Sequence, residues 1–170
     1  MKYDSDEEKY FHAWLLELQE AGYVDSISRA DSIKLCDPVV CNGITELASV
    51  IYTPDFQFKV LKEGKYFQPH DNITVSPRSR SEQRVIYNSK TKQCLVEVKP
   101  IKDVRGKTSE AKLKIKWART LGYVIDLVKI PGSSNKGGHL FKKSFTPKVY
   151  LKTPTGRERK MNYEYETIKE

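Results

Sequence analysis

A helical period of apolar residues opens the chain. Phe11, Leu15 and Leu18 recur at the spacing of one helix face, which predicts an amphipathic helix over 5–22. Ser5 suits the N-cap of this helix, and acidic residues follow it where the helix dipole favours negative charge. Gly22 is the expected end of the helix.

Short β-prone pieces predict strands along much of the remaining chain. They lie at 23–24, 26–28, 33–35, 39–40, 56–60, 84–87, 94–99 and 123–128, and residues 48–52 lead towards the strand at 56–60. A second helix is predicted over 109–121, with Thr108 or Ser109 as its N-cap. Four of its side chains are expected to pack inward: Ala111, Ile115, Ala118 and Leu121.

The order of these elements predicts an α/β fold with a mixed central β-sheet flanked by helices. Residues 84–87 and 94–99 are expected to form an antiparallel hairpin. The helix at 109–121 then favours a crossover to 123–128, because a helical connection usually joins parallel neighbours.

The chain is expected to divide into a core and an extension. Residues 1–130 would form the core, with an insertion at about 62–93. Residues 131–170 would form a flexible linker and a basic C-terminal extension. That extension is expected to carry an appended β-hairpin made of 148–152 and 161–165.

Charge and cysteine content narrow the class of protein. The 170 residues suffice for one domain with a real core, and 30 Lys and Arg against 22 Asp and Glu give a formal net charge of +8. Such a surplus favours nucleic acid as a partner, although a merely basic surface gives the same composition.

Cys36, Cys41 and Cys94 have neither disulfide nor zinc spacing and are expected as free thiols in a reducing compartment. No apolar run reaches transmembrane length, so the expected location is the cytoplasm, away from membranes.

Two carboxylates and one ammonium form the candidate chemistry. Glu97 and Lys99 are two residues apart on a predicted strand, so they share one face while Val96 and Val98 point to the other. Asp55 stands at the start of an earlier strand. Converging carboxylate oxygens suit a hard cation such as Mg²⁺, and a neighbouring ammonium stabilises developing negative charge. The set predicts metal-dependent cleavage of a phosphodiester.

The pattern Pro54-Asp55 followed by Glu97-Val98-Lys99 resembles the PD-(D/E)XK nuclease superfamily. With the preceding Tyr-Thr and the following Phe, the string looks more specifically like phage endonuclease I and related enzymes that cleave Holliday junctions. An acidic helix before the motif and a basic helix after it follow the order of that family. In one departure, Glu97 follows Asp55 by 42 positions, whereas compact members join the two strands by a short turn.

The resemblance implies a restriction-endonuclease-like fold and Mg²⁺- or Mn²⁺-dependent hydrolysis of DNA that leaves a 5′-phosphate. By the same resemblance, Asp55, Glu97 and the Val98 carbonyl would be metal ligands. Glu8, on the first helix, would complete or support this metal site. Lys99 would orient the attacking water and stabilise the charge that builds on the phosphate.

The first helix leaves two assignments open. Glu8 matches the metal-site glutamate that these nucleases carry on their first helix, with Glu7 as the alternative, yet Ser5 and Glu8 also fit a capping box. His12 lies one turn beyond Glu8. It is either a general base or metal ligand, or a partly buried histidine whose hydrogen bonds are satisfied.

The substrate and the partners also remain open among several classes. Branched DNA or a four-way junction is the first candidate substrate. Phage resolvases cut such junctions as symmetric homodimers, so the resemblance implies a homodimer here. It also implies the host cytoplasm as the location and other phage or recombination proteins as further partners. A restriction-type enzyme, a transposase-associated nuclease and a ribonuclease are alternatives. A non-catalytic DNA-binding or phage structural protein on a degenerate nuclease fold would use the basic surface alone. The candidate DNA contacts, which a solvated helix face would also explain, are Lys102, Lys112, Lys116 and Arg119.

Overall fold

The computed structural model describes residues 2–64, 66–70, 84–100, 107–130, 146–152 and 155–158. Within that part the protein is a mixed α/β structure with a mixed sheet and two α-helices, α1 (Asp6–Glu20) and α2 (Lys107–Thr120). The strands are β1 (Val24–Ser28), β2 (Ile33–Cys36), β3 (Val39–Cys41), β4 (Ile44–Leu47), β5 (Val50–Tyr52), β6 (Phe56–Val60), β7 (Phe67–His70), β8 (Val85–Asn88), β9 (Gln93–Pro100) and β10 (Ile125–Ile130). Within these residues, no helix has the length and apolarity that a membrane crossing requires.

A four-stranded sheet forms the centre of the fold, in the order β1-β6-β9-β10. β6 is antiparallel to both β1 and β9, and it pairs Phe56 with Val96. β10 lies parallel to β9, with Leu127 opposite Glu97. The chain reaches β10 through α2, so the predicted parallel crossover is confirmed.

The two helices cover opposite faces of this sheet. Val96 and Val98 on β9 belong to the same buried cluster as Trp14 on α1. Leu95 belongs to a second buried cluster, together with Ile115 on α2. Because alternate residues of a strand point to opposite faces, the two clusters lie on opposite sides of β9. The alternation predicted for this strand is therefore confirmed.

α1 is stabilised by its apolar stripe and by its N-cap. Phe11, Leu15 and Leu18 are fully buried, as their helical spacing predicts. The Ser5 hydroxyl accepts a hydrogen bond of 3.2 Å from the Glu8 N–H, which satisfies an amide of the first turn that has no partner within the helix. The helix matches the predicted range to within two residues at each end.

α2 differs from its prediction at both ends. It begins at Lys107, so Thr108 and Ser109 lie within its first turn rather than at its N-cap. Three of the predicted inward side chains are buried: Ala111, Ile115 and Ala118. Leu121 is 49% exposed, so its predicted inward packing is wrong. The helix ends at Thr120, and a residue beyond the last turn no longer follows the inward face.

The expected hairpin of 84–87 with 94–99 is wrong. β8 pairs in parallel with β7, whereas β9 pairs with β6 and β10. A strand has two edges, and both edges of β9 are already occupied. β8 nevertheless contacts the central sheet, because Asp126 accepts a hydrogen bond of 3.0 Å from the Ile86 N–H, and Cys94 donates to the Ile86 carbonyl at 3.1 Å. The insertion thus contains strands of its own and lets β6 and β9 become neighbours.

The first strand of the expected C-terminal hairpin is also wrong. Residues 148–150 form a 3₁₀ turn. This turn lies against α1, where Tyr150 stacks on Tyr10 with ring centroids 4.8 Å apart, and an isolated antiparallel bridge between Lys152 and Glu158 follows it. The expected second strand, 161–165, and the linker, 131–139, lie outside the described residues.

Candidate active site

Asp55 lies just before β6 and is fixed by the neighbouring strand. Its Oδ2 atom accepts a hydrogen bond of 2.7 Å from the backbone N–H of Val98. The side chain is 15% exposed, so the carboxylate is largely removed from water. Because β6 and β9 are antiparallel neighbours, the two halves of the predicted motif meet despite the 42 positions between Asp55 and Glu97.

The Lys99 ammonium lies where the three predicted ligand oxygens converge. Its Nζ atom is 2.5 Å from Glu97 Oε1, 3.1 Å from the Val98 carbonyl oxygen and 3.8 Å from Asp55 Oδ2. Glu97 and Lys99 share one face of β9, as their spacing predicts. Both side chains are mostly shielded from water, with exposures of 8% and 19%. One cation is therefore held among three oxygens.

Glu97 has a second partner from a different sheet. The Tyr52 hydroxyl, at the end of β5, donates a hydrogen bond of 3.0 Å to Glu97 Oε2. Burial, and then the charge on Glu97, raises the pKa of Tyr52 far above its usual range, so the hydroxyl keeps its proton. The carboxylate is thus held between Tyr52 and Lys99. The sequence includes Tyr52 in the motif string but gives no signal of this role.

Glu8 joins the cluster through an arginine that the sequence analysis did not select. Arg29, which follows β1, donates at 3.0 Å from Nη2 to Glu8 Oε2 and at 3.1 Å from Nη1 to the main-chain oxygen of Asp55. Its Nη1 atom also lies 4.0 Å from Asp55 Oδ1. Glu8 is buried and is the glutamate that makes this link, which favours it over Glu7. Arg29 is the only arginine in the first 77 residues, but only its tertiary contacts connect it with the site.

Burial and the neighbouring charges together set the protonation of Asp55 and Lys99. Burial, and then the charge on Glu97, raises the pKa of Asp55 to about 7, and the Val98 hydrogen bond and Lys99 charge oppose this rise in part. Burial alone would lower the pKa of Lys99, but the hydrogen bond to Glu97 and the charge on Asp55 outweigh it and raise that pKa. Lys99 is therefore a cation at neutral pH, where Asp55 changes between its two forms.

The donor atoms suit a hard divalent cation. Asp55, Glu97 and Val98 offer carboxylate and carbonyl oxygens, which Mg²⁺ and Mn²⁺ prefer. A buried carboxyl group with a raised pKa is stabilised in its charged form by a nearby cation. Among the described residues, no group of three or more His, Cys, Asp or Glu side chains is close enough to hold a metal ion. A metal here would depend on the two carboxylates, the carbonyl and water, and Lys99 would have to move aside.

His12 lies beside the cluster. Its ring stacks on Phe56 with centroids 5.7 Å apart and an interplanar angle of 7°, and its Nδ1 atom is 2.7 Å from the Tyr3 hydroxyl. Burial is the first cause that lowers the pKa of His12, so its neutral form is favoured. These contacts match the partly buried, hydrogen-bonded histidine, which is the second of the two interpretations.

The four candidate DNA contacts differ in their surroundings. Lys112 and Lys116 are exposed on α2, as contacts to phosphate require. Arg119 is half-buried, and its Nε atom donates a hydrogen bond of 3.1 Å to the Ile125 carbonyl, which ties the end of α2 to β10. Lys102 lies outside the described residues. The DNA-binding role of all four residues stays a prediction.

Comparisons of this chain with protein-family models, with curated proteins and with solved structures return no match. The case for a function therefore depends on the geometry of the cluster and on the motif resemblance. That geometry brings together all four predicted catalytic side chains, Glu8, Asp55, Glu97 and Lys99, and adds Arg29 and Tyr52 to them.

Proposed function

We propose that this chain is a metal-dependent DNA endonuclease that hydrolyses phosphodiester bonds. The observation that carries the proposal is the convergence of Asp55, Glu97 and the Val98 carbonyl on the Lys99 ammonium. Burial, and then the charge on Glu97, raises the pKa of Asp55 to about 7, so keeping this carboxylate charged costs stability. Groups with strongly perturbed pKa values concentrate at functional sites.

The reaction follows from the roles that these groups can take. Asp55, Glu97 and the Val98 carbonyl would hold Mg²⁺ or Mn²⁺, and the bound metal would supply Lewis-acid activation of the phosphate and of water. Lys99 orients the attacking water and stabilises the negative charge that builds on the phosphate oxygens. Tyr52 keeps Glu97 in its orientation through the hydrogen bond to Oε2. A 5′-phosphate product is the outcome that the family resemblance implies.

The fold and the charge support DNA as the substrate. The mixed sheet lies between two helices, and we propose that this arrangement is restriction-endonuclease-like. α2 covers the face of β9 from which Glu97 and Lys99 project, so the basic helix lies on the same side of the sheet as these two side chains. Lys112 and Lys116 would hold the phosphate backbone without reading its sequence.

Branched DNA is the substrate class that the resemblance favours, with a homodimer as the acting form. The enzyme would then work in the host cytoplasm beside other phage or recombination proteins. A restriction-type enzyme or a transposase-associated nuclease would use the same reaction on DNA of a different sequence or structure, and a ribonuclease would cut RNA instead.

One observation favours a second candidate, a non-catalytic DNA-binding or phage structural protein. The Lys99 ammonium already lies 2.5 Å from Glu97 and 3.8 Å from Asp55, so both carboxylates have a counter-charge without any metal. A buried ion cluster of this kind can serve the fold alone. Under this alternative, salt-sensitive DNA binding would persist when the carboxylates are neutralised.

A cleavage assay on four substrates tests the proposal. Supercoiled plasmid, linear duplex, a synthetic four-way junction and an RNA duplex are each incubated in EDTA, Mg²⁺ and Mn²⁺ with wild type, Glu97→Gln and Lys99→Met. Glu63→Gln and Lys92→Met are matched controls, because they alter a Lys–Glu pair of 2.8 Å outside the site. Metal-dependent cutting of the junction, lost in the two site variants alone, supports the proposal. Salt-sensitive binding without cutting of any substrate overturns it in favour of the binding protein.

A further inference from the structure

We propose that Arg29 is a positioning residue. It fixes the Glu8 carboxylate against the Asp55 main chain, so that Glu8 and Asp55 keep a constant position relative to each other. This inference rests on the proposed nuclease function and adds to it a residue that neither the sequence motif nor the family resemblance assigns. Arg29 is not proposed to contact the substrate, and its effect on the reaction is exerted through Glu8 and Asp55.

The contacts of Arg29 join three parts of the chain. Nη2 donates to Glu8 Oε2 on α1 at 3.0 Å and also to the main-chain oxygen of Lys2. Nη1 donates to the main-chain oxygen of Asp55 at 3.1 Å. The guanidinium lies over the Phe56 ring, with its central carbon 5.1 Å from the ring centroid. One planar group therefore ties the helix to the first residues of the motif strand.

Burial makes this link one that a lysine cannot replace. Glu8 is 4% exposed, so its carboxylate requires a counter-charge and hydrogen bonds. Arg29 supplies the charge and one hydrogen bond to Glu8 from Nη2, and it bonds the Asp55 carbonyl from Nη1 in the same plane. The guanidinium lies over an aromatic ring at the same time. A lysine at this position would supply the charge from a single nitrogen, which cannot reproduce the two-ended geometry.

The consequence for the site follows from the position of Asp55. The Asp55 carboxylate accepts a hydrogen bond from the Val98 N–H, and the Asp55 main-chain carbonyl accepts one from Arg29. Some residues hydrogen-bond a metal ligand without binding the metal themselves. Removing such a residue typically lowers metal affinity or activity by about 10- to 100-fold. Loss of Arg29 should therefore loosen both Asp55 and Glu8, with little effect on the capture of DNA.

The test compares Arg29→Lys, Arg29→Met, Glu8→Gln and the double variant Glu8→Gln/Arg29→Met. Cleavage of the preferred DNA gives kcat and KM, and calorimetric titration of the DNA-free protein with Mn²⁺ gives the metal affinity. We expect Arg29→Lys and Arg29→Met alike to lower kcat or Mn²⁺ affinity by about 10- to 100-fold, with KM nearly unchanged. In the double variant, kcat and Mn²⁺ affinity should lie within about threefold of those of the more impaired single variant, because both changes break the same link.

Two results would overturn the inference while the nuclease function stands. Wild-type kcat and Mn²⁺ affinity in Arg29→Lys would show that only charge matters at this position. Multiplied losses in the double variant would show that Arg29 acts independently of Glu8. A wild-type protein that neither cuts nucleic acid nor binds Mn²⁺ would instead overturn the nuclease function, and the inference with it.

Discussion

The Asp55 carboxylate accepts a hydrogen bond of 2.7 Å from the Val98 backbone N–H, and this bond joins the two strands of the site. The β6–β9 ladder ends where Phe56 pairs with Val96, so the carboxylate bonds β9 two residues beyond that pair. The position of Asp55 is thus set by strand pairing, and Glu97, one residue before Val98, is brought beside it.

The stability of the metal-free protein should fall as the pH rises. Because burial and the Glu97 charge raise the pKa of Asp55 from 3.8 to about 7, protonated Asp55 stabilises the fold, and this contribution is lost as the pH rises from about 4 through about 7. We expect the free energy of unfolding in EDTA to drop by up to a few kcal/mol between about pH 4 and pH 7. Asp55→Asn, which keeps an acceptor for the Val98 N–H, should show a smaller drop. Parallel pH profiles for the two proteins would contradict this assignment.

Lys99 and a divalent cation should compete for the same oxygens. The Nζ atom lies within 3.8 Å of Asp55 Oδ2 and closer still to Glu97 and the Val98 carbonyl. Lys99→Met should therefore bind Mn²⁺ at least as tightly as wild type in calorimetric titrations, while its rate of DNA cleavage falls by about 100-fold or more. Lys92→Met is the control for loss of one lysine outside the site. Weaker Mn²⁺ binding by Lys99→Met than by wild type would refute the competition.

Tyr52→Phe should lower the free energy of unfolding and the cleavage rate more than Tyr87→Phe does. The substitution removes the 3.0 Å hydrogen bond to Glu97 inside a buried environment, so the free energy of unfolding should fall by about 1–3 kcal/mol. Cleavage should fall by about 10-fold as Glu97 loses its orientation. Tyr87→Phe is the matched control, because its hydroxyl bonds the exposed Glu63 at 2.6 Å. Denaturant unfolding and initial rates measure both effects, and equal losses in the two variants would argue against a special role for Tyr52.

Adjacent leucines on α1 provide a direct check of the fold. Leu15 is fully buried, whereas Leu16 is 48% exposed. Leu15→Ala should lower the free energy of unfolding by about 2–5 kcal/mol because it leaves a cavity. Leu16→Ala should change that free energy by less than about 0.5 kcal/mol. Urea denaturation of the two variants gives the comparison, and similar losses would mean that the helix faces the core differently.

Local periodicity predicted the parts of the site that depend on one strand or one helix. Glu97 and Lys99 share a face, opposite Val96 and Val98, because strand side chains alternate. The parallel crossover through α2 followed from the rule that parallel neighbours need a long connection, which is usually a helix.

Features that depend on distant parts of the chain could not be predicted. The hairpin with β8 was expected because the two strands are adjacent in sequence, yet β6, across the insertion, occupies that edge of β9. The roles of Arg29 and Tyr52 have no signal in the sequence, because their partners Glu8 and Glu97 lie 21 and 45 residues away. Tertiary packing alone brings these pairs together.

The most direct test of the nuclease assignment is the initial rate of DNA cleavage by Glu97→Gln relative to Glu63→Gln. Both proteins are assayed at saturating Mn²⁺ on a four-way junction and on supercoiled plasmid, with EDTA as the blank. The proposal predicts a wild-type rate for Glu63→Gln and a rate at least about 100-fold lower for Glu97→Gln, with DNA affinity retained. Equal rates in the two variants, or cutting that continues in EDTA, would contradict it.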